Sequence, residues 1–170
     1  MKMHLAQYIT FLRILLSPLA LIYLSDMDYK AEIVLAIVVI GGFTDYVDGL
    51  IARKQGMTSP FGAILDYTAD KVFVLSVLFV LSIAGDLPAW ITFIFIFREI
   101  IVMGIRLYAS HQSITISASP IGKLKTTMIF LAIVLLLMKI SYADYVFYFA
   151  VLLAIVSFLD YVFKFLKAVK

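Results

Sequence analysis

The chain contains no cysteine, which removes disulfides, thiolate zinc sites and a cysteine nucleophile together. Its two histidines, His4 and His111, are too few and too separated for a histidine-based metal centre. Charge is also scarce: Asp, Glu, Lys and Arg make up 15% of the residues, against about 25% in an ordinary soluble domain. No internal repeat, low-complexity tract or domain linker is visible. What is present is apolar, with 64% hydrophobic residues and a mean hydropathy of +1.08. A membrane span needs about 20 mostly apolar residues. Six spans would use roughly 120 of the 170 residues, and a soluble domain does not fit in the remainder. The net charge of +3 is small, so its placement says more than its size.

Apolar runs broken by turn and charge signals predict six helices, at 8–24, 32–51, 61–84, 88–109, 120–139 and 143–164. The expected architecture is all-α: one polytopic membrane domain over residues 1–170 with six transmembrane helices. The breaks are short, for example Ser25-Asp26-Met27-Asp28 and Gly85-Asp86-Leu87-Pro88, so consecutive helices are expected to be antiparallel neighbours. The first run contains Arg13 and no small-residue cleavage signal after it, so it is expected to stay as a span. With six spans both termini share a side, which collects Lys2, Arg53, Lys54, Arg106, Lys123, Lys125, Lys164, Lys167 and Lys170. The opposite loops hold only Lys30 and Lys139, beside Asp26, Asp28, Glu32, Asp86 and Asp144. By the positive-inside rule the basic face is cytoplasmic. This predicts a multi-pass protein of the plasma (inner) membrane whose partner is the bilayer and not nucleic acid.

A charged side chain at a helix centre costs about 2.5–3.5 kcal/mol on insertion scales, yet four aspartates gather where the second and third helices should meet the cytoplasm. Asp45 and Asp48 are three residues apart and Asp66 and Asp70 four apart, so each pair shares a helix face. The 17 residues between Asp48 and Asp66 allow a helix end, a turn and a helix start. Four ionised carboxylates in one pocket repel each other unless a cation compensates them. Hard carboxylate oxygens suit Mg2+ or Mn2+, and four of them suffice for two ions. The alternative is four separate aspartates, each solvated alone at the interface. Gly41 and Gly42 are expected to serve close helix packing, while Gly49 lets a ligand reach backbone beside the acids and Arg53 supplies a cation one turn on.

These residues resemble the CDP-alcohol phosphatidyltransferase family. Its pattern D-x2-D-G-x2-A-R-x8-G-x3-D-x3-D is filled at every fixed position by Asp45, Asp48, Gly49, Ala52, Arg53, Gly62, Asp66 and Asp70. The resemblance implies that Asp45, Asp48, Asp66 and Asp70 bind two divalent cations, with Asp70 also the candidate catalytic base. It implies a site for the donor, CDP-diacylglycerol, formed by Gly49, Arg53, Ser59 and Gly62. The family's polar element at the start of the first helix reads here as Gln7, Thr10 and Arg13, which adds Thr10 to that site. A homodimer is likewise implied by the resemblance alone.

A second run, Arg98-Glu99-Ile100-Ile101, then Arg106, then Gly122-Lys123-Leu124-Lys125-Thr126, is similar to that of the bacterial phosphatidylglycerophosphate synthases of this family. That likeness implies glycerol 3-phosphate as acceptor, with phosphatidylglycerophosphate and CMP as products. Arg106, Lys123 and Lys125 are the candidate acceptor-phosphate ligands; the alternative is that they anchor the protein among lipid headgroups. Arg98 and Glu99 fall inside a span, where an internal ion pair is expected. Trp90, Tyr142 and Tyr145 fit an outer aromatic belt, and Asp160 is placed to be solvated or to pair with Lys164 four residues on. Competing functions are another acceptor, inositol phosphate or phosphatidylglycerol, and a cation transporter. A transporter would place its acids near the midplane and reach both faces, whereas here acids and bases share one face.

Overall fold

The structure, a computed structural model, describes residues 31–42, 60–112, 114 and 120–169 together with Ile14, Ser17 and Pro18. Side chains at 60–67 are outside the description, although their backbone is helical. Among the described residues every regular element is an α-helix: α1 (Ala31–Gly42), α2 (Pro60–Ile83), α3 (Ala89–His111), α4 (Pro120–Leu137) and α5 (Ala143–Val169). The last four match the predicted segments to within two residues, except that α5 ends at Val169 rather than at 164. Of the predicted segment 8–24 only the three helical residues named above are described, and of 32–51 only the part through Gly42.

The chain divides into two compact units, Met1–Leu87 and Pro88–Lys170. In the first, α1 buries Ala31, Val34 and Val38, and α2 buries Ala69, Phe73, Val77 and Leu81, the three- and four-residue spacing of single helix faces. Gly41 lies directly against α2: a methyl group there would come within 2.5 Å of Cζ of Phe73, a ring that is itself buried. Glycine thus lets the two helices touch, as expected of a packing glycine in an apolar bundle. Helix α2 is closed by Gly85 at φ 82°, with Asp86 N–H donating to Leu81 O at 3.0 Å and Gly85 N–H to Ser82 O at 3.3 Å. This pair of bonds is a Schellman cap.

The second unit is built on α5. A stripe of Ala143, Phe147, Ala150, Val151, Ala154, Ser157 and Tyr161 is buried, and its small members allow close approach. Both α3 and α4 pack on this helix, α4 through Ile129, Ala132, Ile133 and Leu137. Helices α3 and α5 run parallel. Trp90 stacks on Tyr148 at 6.2 Å near their starts, and Tyr108 meets Phe165 edge-on at 5.8 Å toward their ends. The outward faces carry Phe93, Ile100, Leu152 and Phe163, an apolar exterior suited to lipid. Helices α4 and α5 are long and apolar enough to cross a membrane. Helices α2 and α3, with 24 and 23 residues, are long enough too. They differ in where charge falls: Asp66, Asp70 and Lys71 on α2 and Arg98, Glu99 and Arg106 on α3 interrupt the apolar run, whereas α4 is free of charge over 126–137 and α5 over 145–159.

The turn between α4 and α5 repeats the Schellman pattern without glycine. Ile140 N–H donates to Leu135 O at 3.0 Å and Lys139 N–H to Leu136 O at 2.9 Å, which puts Lys139 at φ 57°. A side chain in this left-handed region costs roughly 1–2 kcal/mol. Lys139→Gly is therefore expected to stabilise the protein by about 1 kcal/mol, read as a higher melting temperature in detergent. Gly85→Ala should lower it by a similar amount, since no atom lies within 4 Å of the added methyl group and only the backbone conformation resists it.

Candidate active site

Sequence spacing converges on two places, one in each unit. In the first unit, Gly62 and Asp66 fall in the first two turns of α2, and Asp70 follows one turn later with its side chain half-buried. Asp66 and Asp70 thus occupy one side of the helix, four positions apart, continuing toward its start the register of buried Phe73 and Val77. Thr10, Asp45, Asp48, Gly49, Arg53 and Ser59 lie outside the described residues, as does the side chain of Asp66. Among the described residues no three metal-ligating side chains come together. The donor set by its chemistry is all carboxylate oxygen, which fits a hard divalent cation and not a soft one.

In the second unit, the charges expected to form an internal ion pair do so, and they have further partners. Glu99 and Lys125 both sit on the buried stripes of their helices, at 7% and 3% exposure. Lys125 Nζ donates to Glu99 Oε1 at 2.5 Å, and Arg98 Nη1 donates to the same oxygen at 2.7 Å. Arg98 Nη2 also donates to Ser157 Oγ at 3.3 Å, and that hydroxyl donates to Ala154 O at 3.0 Å. One carboxylate therefore joins α3 to α4, and its arginine neighbour joins α3 to α5. A buried carboxylate needs such partners, because an unpaired charge in the bundle is far more costly than an exposed one.

The three candidate acceptor ligands divide accordingly. Arg106, on α3, and Lys123, on α4, are exposed, whereas the Lys125 ammonium is held inside against Glu99. Sequence reasoning had no partner for Glu99 and gave Ser157 no role. The usable signal was periodic: Lys125 precedes Ile129 and Ala132 at helical spacing, and Glu99 follows Phe95 in the same way. Asp160 pairs with Lys164 at 2.7 Å, one turn on.

The helical fold and the apolar exterior suit a protein embedded in a membrane. Residues 3–156 match the CDP-alcohol phosphatidyltransferase family, so the chain belongs to that family. Among its relatives, a "Probable phosphatidylglycerophosphate synthase" of Mycobacterium tuberculosis is 40% identical over 142 residues, covering 81% of this chain and 68% of that protein. Proteins named "CDP-diacylglycerol--glycerol-3-phosphate 3-phosphatidyltransferase" are 37% identical in Haemophilus influenzae, over 78% of this chain and 75% of theirs. In Wigglesworthia glossinidia brevipalpis the identity is 35%, over 84% of this chain and 81% of the relative.

Proposed function

We propose that the protein transfers the phosphatidyl group of CDP-diacylglycerol to glycerol 3-phosphate, releasing CMP. The observation that carries this reading is the run of relatives bearing that activity in their names, at 35–37% identity across most of both chains. In the reaction the acceptor hydroxyl oxygen bonds to the lipid-side phosphorus, the bond from that phosphorus to the CMP oxygen breaks, and Asp70 takes the hydroxyl proton. Arg53, Gly49, Ser59, Gly62 and Thr10 hold the CDP end, and Arg106 and Lys123 face the acceptor phosphate, with Lys125, held inward against Glu99, adding its charge from behind. Asp45, Asp48, Asp66 and Asp70 would hold two divalent cations, Mg2+ or Mn2+, which when bound neutralise the diphosphate and the leaving group.

The Gly41–Phe73 contact supports that gathering of acids. One turn on from Gly41 the sequence reaches Asp45, and two turns on Asp48; one and two turns back from Phe73 it reaches Asp70 and Asp66. Matching spacings of this kind in the sequence on either side of the contact are what a shared site for the four acids requires. CMP release measured with glycerol 3-phosphate, inositol phosphate and phosphatidylglycerol side by side tests the acceptor. Preference for either of the latter two would replace the assignment.

The same reading places six spans in the plasma membrane, with the active site cytoplasmic and the protein a homodimer. The orientation is supported by the lysine and arginine asymmetry of the short loops, and the homodimer rests on the family resemblance alone. A single cysteine at position 28, in a chain with no other, is expected to react with an impermeant maleimide in intact cells. Reaction only after the membrane is breached would reverse the topology.

A further inference from the structure

Lys125 is six positions into α4, which begins at Pro120, about 8 Å of rise from the helix start. A lysine so near a helix end ordinarily stretches toward the headgroups and keeps its ammonium in water. Here it does the reverse: the residue is 3% exposed, and its ammonium lies against Glu99 Oε1 inside the unit. Lys123, two residues earlier, is exposed, so this end of the helix is open to its surroundings and burial is specific to Lys125. On α3, Arg106 follows Glu99 by seven residues, two turns along the same side, and is exposed. The inward pull thus holds one cation on the face of α3 that carries another.

We propose that Glu99 is a positioning residue for the acceptor: its carboxylate draws the Lys125 ammonium inward from the headgroup level and fixes it, with Arg98, on the side of α3 that presents Arg106 to the acceptor phosphate. This rests on the acceptor reading above. It differs from a merely structural ion pair in one respect, because it requires the cation to come from α4 and the carboxylate from α3. A strut between helices would work equally well with the two charges exchanged.

The experiment compares wild type, Glu99→Gln, Glu99→Asp and the exchange Glu99→Lys with Lys125→Glu, each as full-length protein in mixed micelles. Melting temperature and the separate KM values for glycerol 3-phosphate and CDP-diacylglycerol are measured. Glu99→Gln is expected to raise the acceptor KM by roughly ten- to a hundredfold, the loss of a charge-assisted contact, and to move the donor KM by less than about twofold. Glu99→Asp, which keeps the charge on a shorter arm, should recover part of the acceptor KM. The exchange variant should regain the melting temperature without regaining the acceptor KM. Recovery of both by the exchange, or an unaltered acceptor KM in a folded Glu99→Gln, overturns the positioning role. Should Glu99→Gln melt too low to assay, Glu99→Asp carries the test: a raised acceptor KM at wild-type stability supports the role and an unchanged one overturns it. Wild-type protein that releases no CMP with glycerol 3-phosphate overturns the acceptor reading, and this proposal with it.

Discussion

Alanine at Asp66 or Asp70 is expected to cut CMP release by at least about a hundredfold while leaving a folded membrane protein. The size follows from what the carboxylates would do: each removes repulsion between a negatively charged diphosphate and an acidic helix only by way of a bound cation, and preorganised charge of this kind is worth about 10²–10³ in rate per group. Folding should survive because α2 is held by Ala69, Phe73, Val77 and Leu81, none of which is touched. Removing an acid from a cluster also lessens its mutual repulsion, so the variants should melt no lower than wild type in chelator. Exhaustive chelation of the wild type should abolish CMP release, and Mg2+ or Mn2+ should restore it. Full activity after chelation would sink the two-cation reading, and loss of folding in both variants would assign the acids to structure instead.

Much of the fold was legible because lipid leaves a chain few choices. Backbone polar groups that meet no water must be satisfied within each segment, so an apolar run of the right length between turn residues is a helix, and α2 to α4 begin and end within two residues of where those runs do. The exception is instructive. At the end of α5, Lys164 and Lys167 break the apolar run without breaking the helix, since Lys164 bonds back to Asp160 one turn earlier and Phe165 packs on Tyr108. Composition sees the charge and not its partner. The same blindness hid the Glu99 cluster: the sequence announces that Arg98 and Glu99 need partners, but Lys125 is 26 positions away and Ser157 lies on a third helix. Lys125 reads from sequence as one of three basic residues around a loop, and only its facing separates it from Arg106 and Lys123. The left-handed Lys139 was equally invisible, because the cap it forms is usually signalled by glycine. The family motif needed no structure, since its spacing is its content.

Neutralising Arg106 or Lys123 is expected to weaken use of glycerol 3-phosphate by roughly tenfold to 150-fold, the equivalent of losing a charge-assisted contact worth about 1.5–3 kcal/mol. Both residues are exposed, and replacement of exposed side chains usually changes stability little. A contact equally strong in the ground and transition states shows up as a higher acceptor KM; one that also aligns the attacking hydroxyl lowers kcat. The affinity for CDP-diacylglycerol should stay nearly constant in both variants, because that substrate is assigned to Arg53 and its neighbours, and Arg53→Ala should show the opposite pattern. If Arg106 and Lys123 instead only anchor the protein among anionic headgroups, each contributes a screened surface attraction. Their removal would then leave both substrates' constants nearly as they were and respond to the anionic lipid content of the micelle. Kinetics of Arg106→Ala and Lys123→Ala at two anionic lipid fractions therefore separate the two roles. An acceptor KM raised equally at both fractions marks a phosphate ligand, and an acceptor KM that never departs from wild type returns both residues to the membrane surface.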